Sequence, residues 1–263
     1  MSVSQARTFF MDNAKEFSPS DISMLTELVK SDGRSGIISA WDKFLKAKAD
    51  EKAEVERVSK LYDFEKTIAA LPGSVILGLD EVGRGPLAGP LTVGGVILKS
   101  KPLVLGLNDS KKLSPKKREE IAEDIKKNSI CAKTFSVPPK YIDDLGMTEC
   151  LKRAFRNVVK QIEDEGIKID VILLDGNPLS FDSREVNVVK GDAKCASISA
   201  ASIIAKVERD SYMEKISPDY PQYNFAQNKG YGTAEHIEAI KHNGLSAVHR
   251  KSFCGSFMQM SFF

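Results

Sequence analysis

The run Val75-Ile76-Leu77-Gly78-Leu79 leads straight into Asp80-Glu81 and then into Val82-Gly83-Arg84-Gly85-Pro86-Leu87-Ala88-Gly89-Pro90. Such an apolar run is the pattern of a short buried strand, and a loop rich in glycine and proline ends it. Adjacent acids at the end of a buried strand cost free energy unless they are paired, solvated or bound to a cation. The stretch therefore marks a functional edge, and the rest of the chain has to supply the layers that bury the strand.

The sequence on either side of this strand differs. Residues 1 to 72 carry helical periodicity, with Ile22, Leu25, Leu28 and Val29 in one stripe and Val55, Val58, Leu61, Tyr62, Ile68 and Ala69 in another; Asp32-Gly33-Arg34-Ser35-Gly36 separates them. Pro72-Gly73 closes this segment and sets a domain boundary. Beyond it, strands are predicted over 75–80, 91–98, 132–137 and 169–175, and helices over 114–127, 147–165 and 195–216. Interleaved strands and helices predict an α/β layered domain over residues 73–253, with a helical extension before it and a tail, residues 254–263, after it.

At 263 residues with 42% hydrophobic content, the chain can bury a full core. No apolar run approaches the roughly 20 residues of a membrane span, and Phe9-Phe10-Met11 is too short for a secretory signal core, so the cytoplasm is expected. Cys131, Cys150, Cys195 and Cys254 lie too far apart for a zinc or redox pair and are expected to be free thiols. A net charge of +2 does not by itself indicate a polyanion partner; the basic cluster Lys111, Lys112, Lys116, Lys117 and Arg118 carries more information.

Asp80 and Asp175 each end an apolar strand and each precede a glycine-bearing loop, where ligand sites collect in α/β sheets. On neighbouring strands their carboxylates would converge. Asp80 and Glu81 would point to opposite faces of a regular strand, so sharing one site requires the strand to break at Val82-Gly83. An Asp-Gly pair such as Asp175-Gly176 also commonly starts a turn, and Asp192 is well placed to cap the helix that follows it. Asp210 competes with Asp192, and two such positions on one helix would be about 27 Å apart, so only one can join a common site. Carboxylates without a cysteine or histidine set suit Mg²⁺ or Mn²⁺, and a pair of such ions supports phosphodiester hydrolysis.

The order of motifs resembles that of ribonuclease HII. Gly78 to Pro90 matches the family's opening G-x-D-E-x-G-R-G-P-x-A-G-P. Leu107-Asn108-Asp109-Ser110-Lys111-Lys112-Leu113, Leu174-Asp175-Gly176, Lys190-Gly191-Asp192-Ala193 with Ser197 to Asp210, Lys229-Gly230-Tyr231-Gly232-Thr233 and His249-Arg250-Lys251-Ser252-Phe253 follow in order. The resemblance implies an RNase H-like mixed sheet flanked by helices and a metal-dependent endonuclease acting on RNA joined to DNA. It makes Asp80, Glu81, Asp175 and Asp192 the catalytic and metal-holding set, with Mg²⁺ or Mn²⁺ as cofactor, and leaves Asp210 a structural role. Arg84 separates the chain from the sister family, ribonuclease HIII, which usually has threonine there.

The same resemblance implies that Gly83, Arg84 and Gly85 contact the ribose 2′-hydroxyl largely through backbone groups, that Tyr231 packs on the following sugar, and that Lys111 and Lys112 hold phosphates, with Lys206 facing the site. The substrate expected is an RNA/DNA hybrid or a duplex with embedded ribonucleotides, cut on the 5′ side of the ribonucleotide by a monomer that takes part in replication and repair. The histidines carry no catalytic expectation: His236 and His242 fall on or just after a surface-like helix, and His249 is structural. Gln259, Met260, Phe262 and Phe263 resemble the peptide with which bacterial replication proteins dock on the sliding clamp. Residues 1 to 72 hold 11 basic and 12 acidic residues, a poor electrostatic grip on a duplex, and are expected to assist substrate binding or stability. A nucleotide-binding loop is disfavoured because 83–89 lacks a G-K-S/T ending and a strand follows where a helix is needed.

Overall fold

A computed structural model describes residues 1–13, 16–69 and 71–258, with the side chains of 256–258 left aside. Two compact units divide at Arg57/Val58, inside a long helix, so the last turns of that helix belong with the second unit. The tail residues Gln259, Met260, Phe262 and Phe263 lie outside the described residues.

In the first unit, helices α1 (Val3–Asp12), α2 (Pro19–Asp32) and the start of α3 (Ser35–Ile68) gather Ala6, Phe10, Val29, Ile37, Trp41 and Phe44. Ser2 and Ser18 cap α1 and α2 with reciprocal capping boxes, and Gly33 ends α2 in a left-handed turn within the expected break. The core here is aromatic: Trp41 stacks on Phe44 at 4.9 Å. Of the expected apolar stripes, Ile22, Leu25 and Val29 join this core and Val58, Leu61 and Tyr62 are buried in the second unit, whereas Leu28 and Val55 are exposed.

The second unit is built on a five-stranded sheet of order β3-β2-β1-β4-β5. Its strands are β1 (Ile76–Val82), β2 (Leu91–Leu98), β3 (Ser129–Val137), β4 (Val171–Asp175) and β5 (Glu185–Val188). β1, β2 and β3 pair antiparallel, whereas β1, β4 and β5 run parallel, which makes the sheet mixed as expected. Around it run α4 (Pro115–Asn128), α5 (Pro139–Leu145), α6 (Met147–Asp164), α7 (Ala196–Ile216), α8 (Phe225–Asn228), α9 (Ala234–Asn243) and α10 (Lys251–Met258). The four cysteines are buried free thiols.

Strand alternation sorts the two faces. Leu77, Leu79, Val93 and Ile97 pack with Leu151, Phe155, Val158 and Ile162 of α6. The opposite face carries Gly78 and Gly94, and α7 lies directly on them. A Cβ at Gly78 would stand 2.2 Å from the carbonyl carbon of Ser197, and one at Gly94 would stand 2.4 Å from the Ala201 carbonyl oxygen. Only glycine admits a helix backbone this close, which explains why α7 presents serine and alanine to the sheet. Strand β5 was not foreseen, because Glu185-Val186-Asn187-Val188 is too short and polar to read as one.

Candidate active site

Asp80 and Asp175 occupy equivalent places on neighbouring parallel strands. The register pairs Leu79 with Leu174, so the next residue on each strand is an aspartate. Leu173 packs with Ile198 of α7, which puts Asp175, two residues on, over the same face as Gly78 and Asp80. Asp80 is 6% exposed, receives a hydrogen bond from its neighbour's amide, Glu81 N at 2.7 Å, and has its charged form favoured by the Ser202 side chain on α7. Ser202 Oγ in turn lies 3.1 Å from Ser110 Oγ, which ties the Asn108-to-Lys111 motif to the acids.

Burial holds the Asp80 carboxyl well above the usual range, and the charges of Glu81 and Asp175 push it further. Burial likewise raises Glu81, opposed by Arg84, whose Nη1 lies 3.2 Å from Glu81 Oε1. β1 keeps its register through Val82 and ends there, at the expected Val82-Gly83 break, and the field of Asp175 reaches Asp80 and Glu81 alike. Asp175 Oδ1 accepts the Gly191 amide at 2.6 Å, drawing in the short 3-10 turn Gly191–Ala193 that carries Asp192. Burial and then the charges of Asp175 and Asp109 raise the Asp192 carboxyl, with Lys111 opposing them.

Among the described residues, no three His, Cys, Asp or Glu side chains are gathered closely enough to form a metal shell by themselves. The four acids are instead linked through their fields, and their all-oxygen donor set matches a hard divalent cation rather than zinc.

The loop after β1 is fixed from behind. Arg250, fully buried, donates to the carbonyls of Gly83 (2.7 Å), Arg84 (3.1 Å) and Gly89 (2.9 and 3.0 Å). Arg209 on α7, also fully buried, donates to Ala88, Pro90 and Lys229. Burial and the neighbouring Arg209 lower Arg250 to about 9. Gly83 has φ +90°, and a Cβ there would stand 2.4 Å from Arg209 Nε, so the guanidinium and the glycine require each other. Gly85 has open space where a Cβ would be, leaving its backbone approachable.

Tyr231 borders this loop, since Gly230 O accepts the Leu87 amide at 2.8 Å. Its ring is 40% exposed and lies 5.9 Å from Lys206 Nζ and 5.7 Å from the Arg209 guanidinium carbon. Asp210 pairs with Lys206 at 2.6 Å and with Arg118 at 3.3 Å. Arg118, read as part of a solvated basic cluster, is buried by that pairing. Lys111 and Lys112 are exposed at the turn that follows Asp109.

His236 is completely buried and does not sit on a surface-like helix face as expected. Its Nδ1 lies 2.8 Å from the Tyr231 carbonyl oxygen, its Nε2 lies 3.0 Å from His249 Nε2, and His249 Nδ1 accepts the Ser246 amide at 3.0 Å. A carbonyl only accepts and an amide only donates, so His236 carries its proton on Nδ1 and His249 on Nε2, both rings neutral. Burial lowers both, His249 to about 4.

Sequence reasoning missed Asp109, Ser110 and Ser202 as partners of the acids, and Arg209, Arg250 and the histidine pair as supports of the loops. The one available signal was that Asp109, Ser110, His249 and Arg250 lie inside recognisable motifs; nothing in the sequence distinguishes a buried arginine from a surface one.

A mixed sheet with carboxylates at the ends of two adjacent central strands, under one long helix, is a fold of the RNase H type. The sequence profile of ribonuclease HII matches residues 77–256. Ribonuclease HII of Bacillus subtilis is 41% identical over 224 residues, covering 85% of this chain and 87% of that protein. That of Ruminiclostridium cellulolyticum is 40% identical over 219 residues, covering 83% and 85%. The Archaeoglobus fulgidus ribonuclease HII, solved in complex with PCNA, superposes with a TM-score of 0.61 at 27% identity over 71% of this chain and 98% of that one. The chain belongs to the ribonuclease HII family.

The histidine pair yields a pH prediction. Its rings have folded-state values below the ordinary 6.5, so the unfolded chain takes up protons first as pH falls. Stability from the pair is complete above about pH 6.5 and declines towards about pH 4. Urea unfolding across this range should show that decline, and His236→Phe/His249→Leu should be less stable at pH 7 with a flatter profile. Equal slopes in the two proteins would contradict the neutral-pair assignment.

Proposed function

We propose that the protein is a metal-dependent endonuclease that hydrolyses the phosphodiester on the 5′ side of a ribonucleotide, at an RNA to DNA junction or embedded in duplex DNA, and the RNA of hybrids. The observation that carries this reading is the placement of Asp80 and Asp175 on one face at one sheet edge, immediately before a loop whose backbone is held by buried arginines. Asp80, Glu81, Asp175 and Asp192 would hold Mg²⁺ or Mn²⁺, which neutralises phosphate charge and activates water. Ser202 and the Glu81 amide orient the Asp80 carboxylate, and the Gly191 amide orients Asp175.

Recognition of the ribose is assigned to Gly83, Arg84 and Gly85, where a fixed backbone and a small side chain let a 2′-hydroxyl approach. Tyr231, exposed and flanked by cations, would receive the next sugar, and Lys111 a phosphate. The products are 3′-hydroxyl and 5′-phosphate ends, suited to ribonucleotide removal and primer processing in replication and repair. We assign the chemistry to residues 73–253, acting as a cytoplasmic monomer. Among the described residues no helix is long and apolar enough to cross a membrane.

The decisive assay offers an end-labelled duplex with one ribonucleotide and Mg²⁺ or Mn²⁺. Incision on the 5′ side is expected, and Asp80→Asn and Asp175→Asn should each slow it at least about 100-fold while still binding the duplex. An intact duplex with both ions, or a fully active variant, would overturn the assignment.

A second contact is proposed for the tail: Gln259, Met260, Phe262 and Phe263 would dock on a sliding clamp, a reading supported by the Archaeoglobus fulgidus complex with PCNA. Removal of residues 259–263 should abolish retention on immobilised bacterial clamp; undiminished retention would exclude this docking mode.

A further inference from the structure

Helix α7 carries Ser202, whose side chain favours the charged form of Asp80, and Arg209, which holds the loop after β1. The placement of both groups depends on how firmly the helix start is seated. Cys195, at its N-cap, makes no side-chain cap bond. An uncapped first turn leaves amides without partners, and in a buried setting each needs an acceptor from elsewhere. That acceptor comes from 132 residues upstream: Glu65, in the last turns of α3, accepts both the Ser197 amide and the Ser197 hydroxyl on its Oε1 at 2.5 Å.

Both groups are sealed from water, with Glu65 6% and Ser197 1% exposed. An acceptor at a helix N-terminus satisfies an orphan amide, and a negative charge there also meets the positive end of the helix dipole. Burial raises the Glu65 carboxyl to about 7, so its neutral form is well populated near neutrality. Both bonds fall on one oxygen, so a neutral carboxyl or an amide can still accept both, without the added strength a carboxylate's charge gives. Ser197 is also the residue packed against Gly78, two positions before Asp80 on β1. The contact thus sits where the helix and the acid-bearing strand approach most closely.

We propose that Glu65 is a positioning residue for the nuclease site, capping α7 in trans so that Ser202 and Arg209 meet Asp80 and the ribose-reading loop in register. The family profile begins only at residue 77, so this role falls to a segment outside the matched core. The proposal rests on the nuclease reading for its kinetic consequence but not for its structural one, and the two can fail separately.

The test uses full-length Glu65→Gln, Glu65→Ala and Ser197→Ala. Amide hydrogen exchange at Ser197 and Ile198 reads the cap directly: it should accelerate in Glu65→Ala and stay near wild type in Glu65→Gln. In steady-state cleavage of the ribonucleotide duplex, Glu65→Ala should lose about tenfold in kcat with KM little changed, at a temperature where circular dichroism shows it folded, whereas Glu65→Gln is rescued. Ser197→Ala, which keeps the amide bond and the fold, should show a smaller loss in kcat and covers the case in which Glu65→Ala does not fold. Unchanged exchange in Glu65→Ala overturns the cap. Accelerated exchange with unchanged kcat overturns the positioning role, and so does a Glu65→Gln protein as impaired as Glu65→Ala. An inactive wild type with accelerated exchange in Glu65→Ala would instead leave the cap standing and defeat the nuclease reading.

Discussion

Two buried guanidinium groups hold the working edge of this protein together. Arg250 and Arg209 have no exposed surface, and between them they donate to the carbonyls of Gly83, Arg84, Ala88, Gly89, Pro90 and Lys229. Burying a charge is costly unless its hydrogen bonds are replaced, and here a ring of backbone carbonyls replaces them. The loop between β1 and β2 has no regular structure, so the arginines serve as its interior. Because their donors fan out in fixed planes, they impose a shape on the backbone as well as a charge.

Everything else at the edge is arranged around the same helix. Arg209 and Ser202 both project from α7, which can touch the sheet only because Gly78 and Gly94 offer no side chain. The two glycines thus set the depth of the helix, the helix sets the position of Ser202, and Ser202 lies by Asp80. The acids pay electrostatically for their closeness, since burial and mutual repulsion hold Asp80, Glu81 and Asp192 above their ordinary values. The cations proposed for this site would relieve that repulsion.

Much of the architecture was legible in the sequence because it is written in local terms. Apolar runs ending in Asp80 and Asp175 gave two strands, Pro115 and Ser114 marked the start of α4, and alanine with serine marked α7. The convergence of Asp80 with Asp175 followed once their strands were neighbours. Choosing Asp192 over Asp210 needed the family motif, since helical spacing favours neither. What stayed hidden is non-local: the cap from Glu65, the burial of Arg118 by Asp210, the histidine pair behind Tyr231, and the aromatic cluster of Phe10, Trp41 and Phe44 that joins the expected Ile22, Leu25 and Val29 in the first-unit core. Long charged side chains look like surface in any sequence, and only a fold reveals which carbonyls they satisfy.

If the guanidinium frame gives the loop its grip on ribose, weakening the frame without touching the acids must weaken that grip. The direct measurement is the affinity of an Asp80→Asn protein, in which cleavage should be slowed, for DNA containing one ribonucleotide and for the same all-deoxy duplex, with and without Arg250→Lys. A lysine in place of Arg250 keeps the charge but loses the planar fork. The expected result is a clear preference for the ribonucleotide that collapses in the folded Arg250→Lys protein. A folded Arg250→Lys protein that keeps the full preference would contradict the claim that the buried arginines shape the recognition loop.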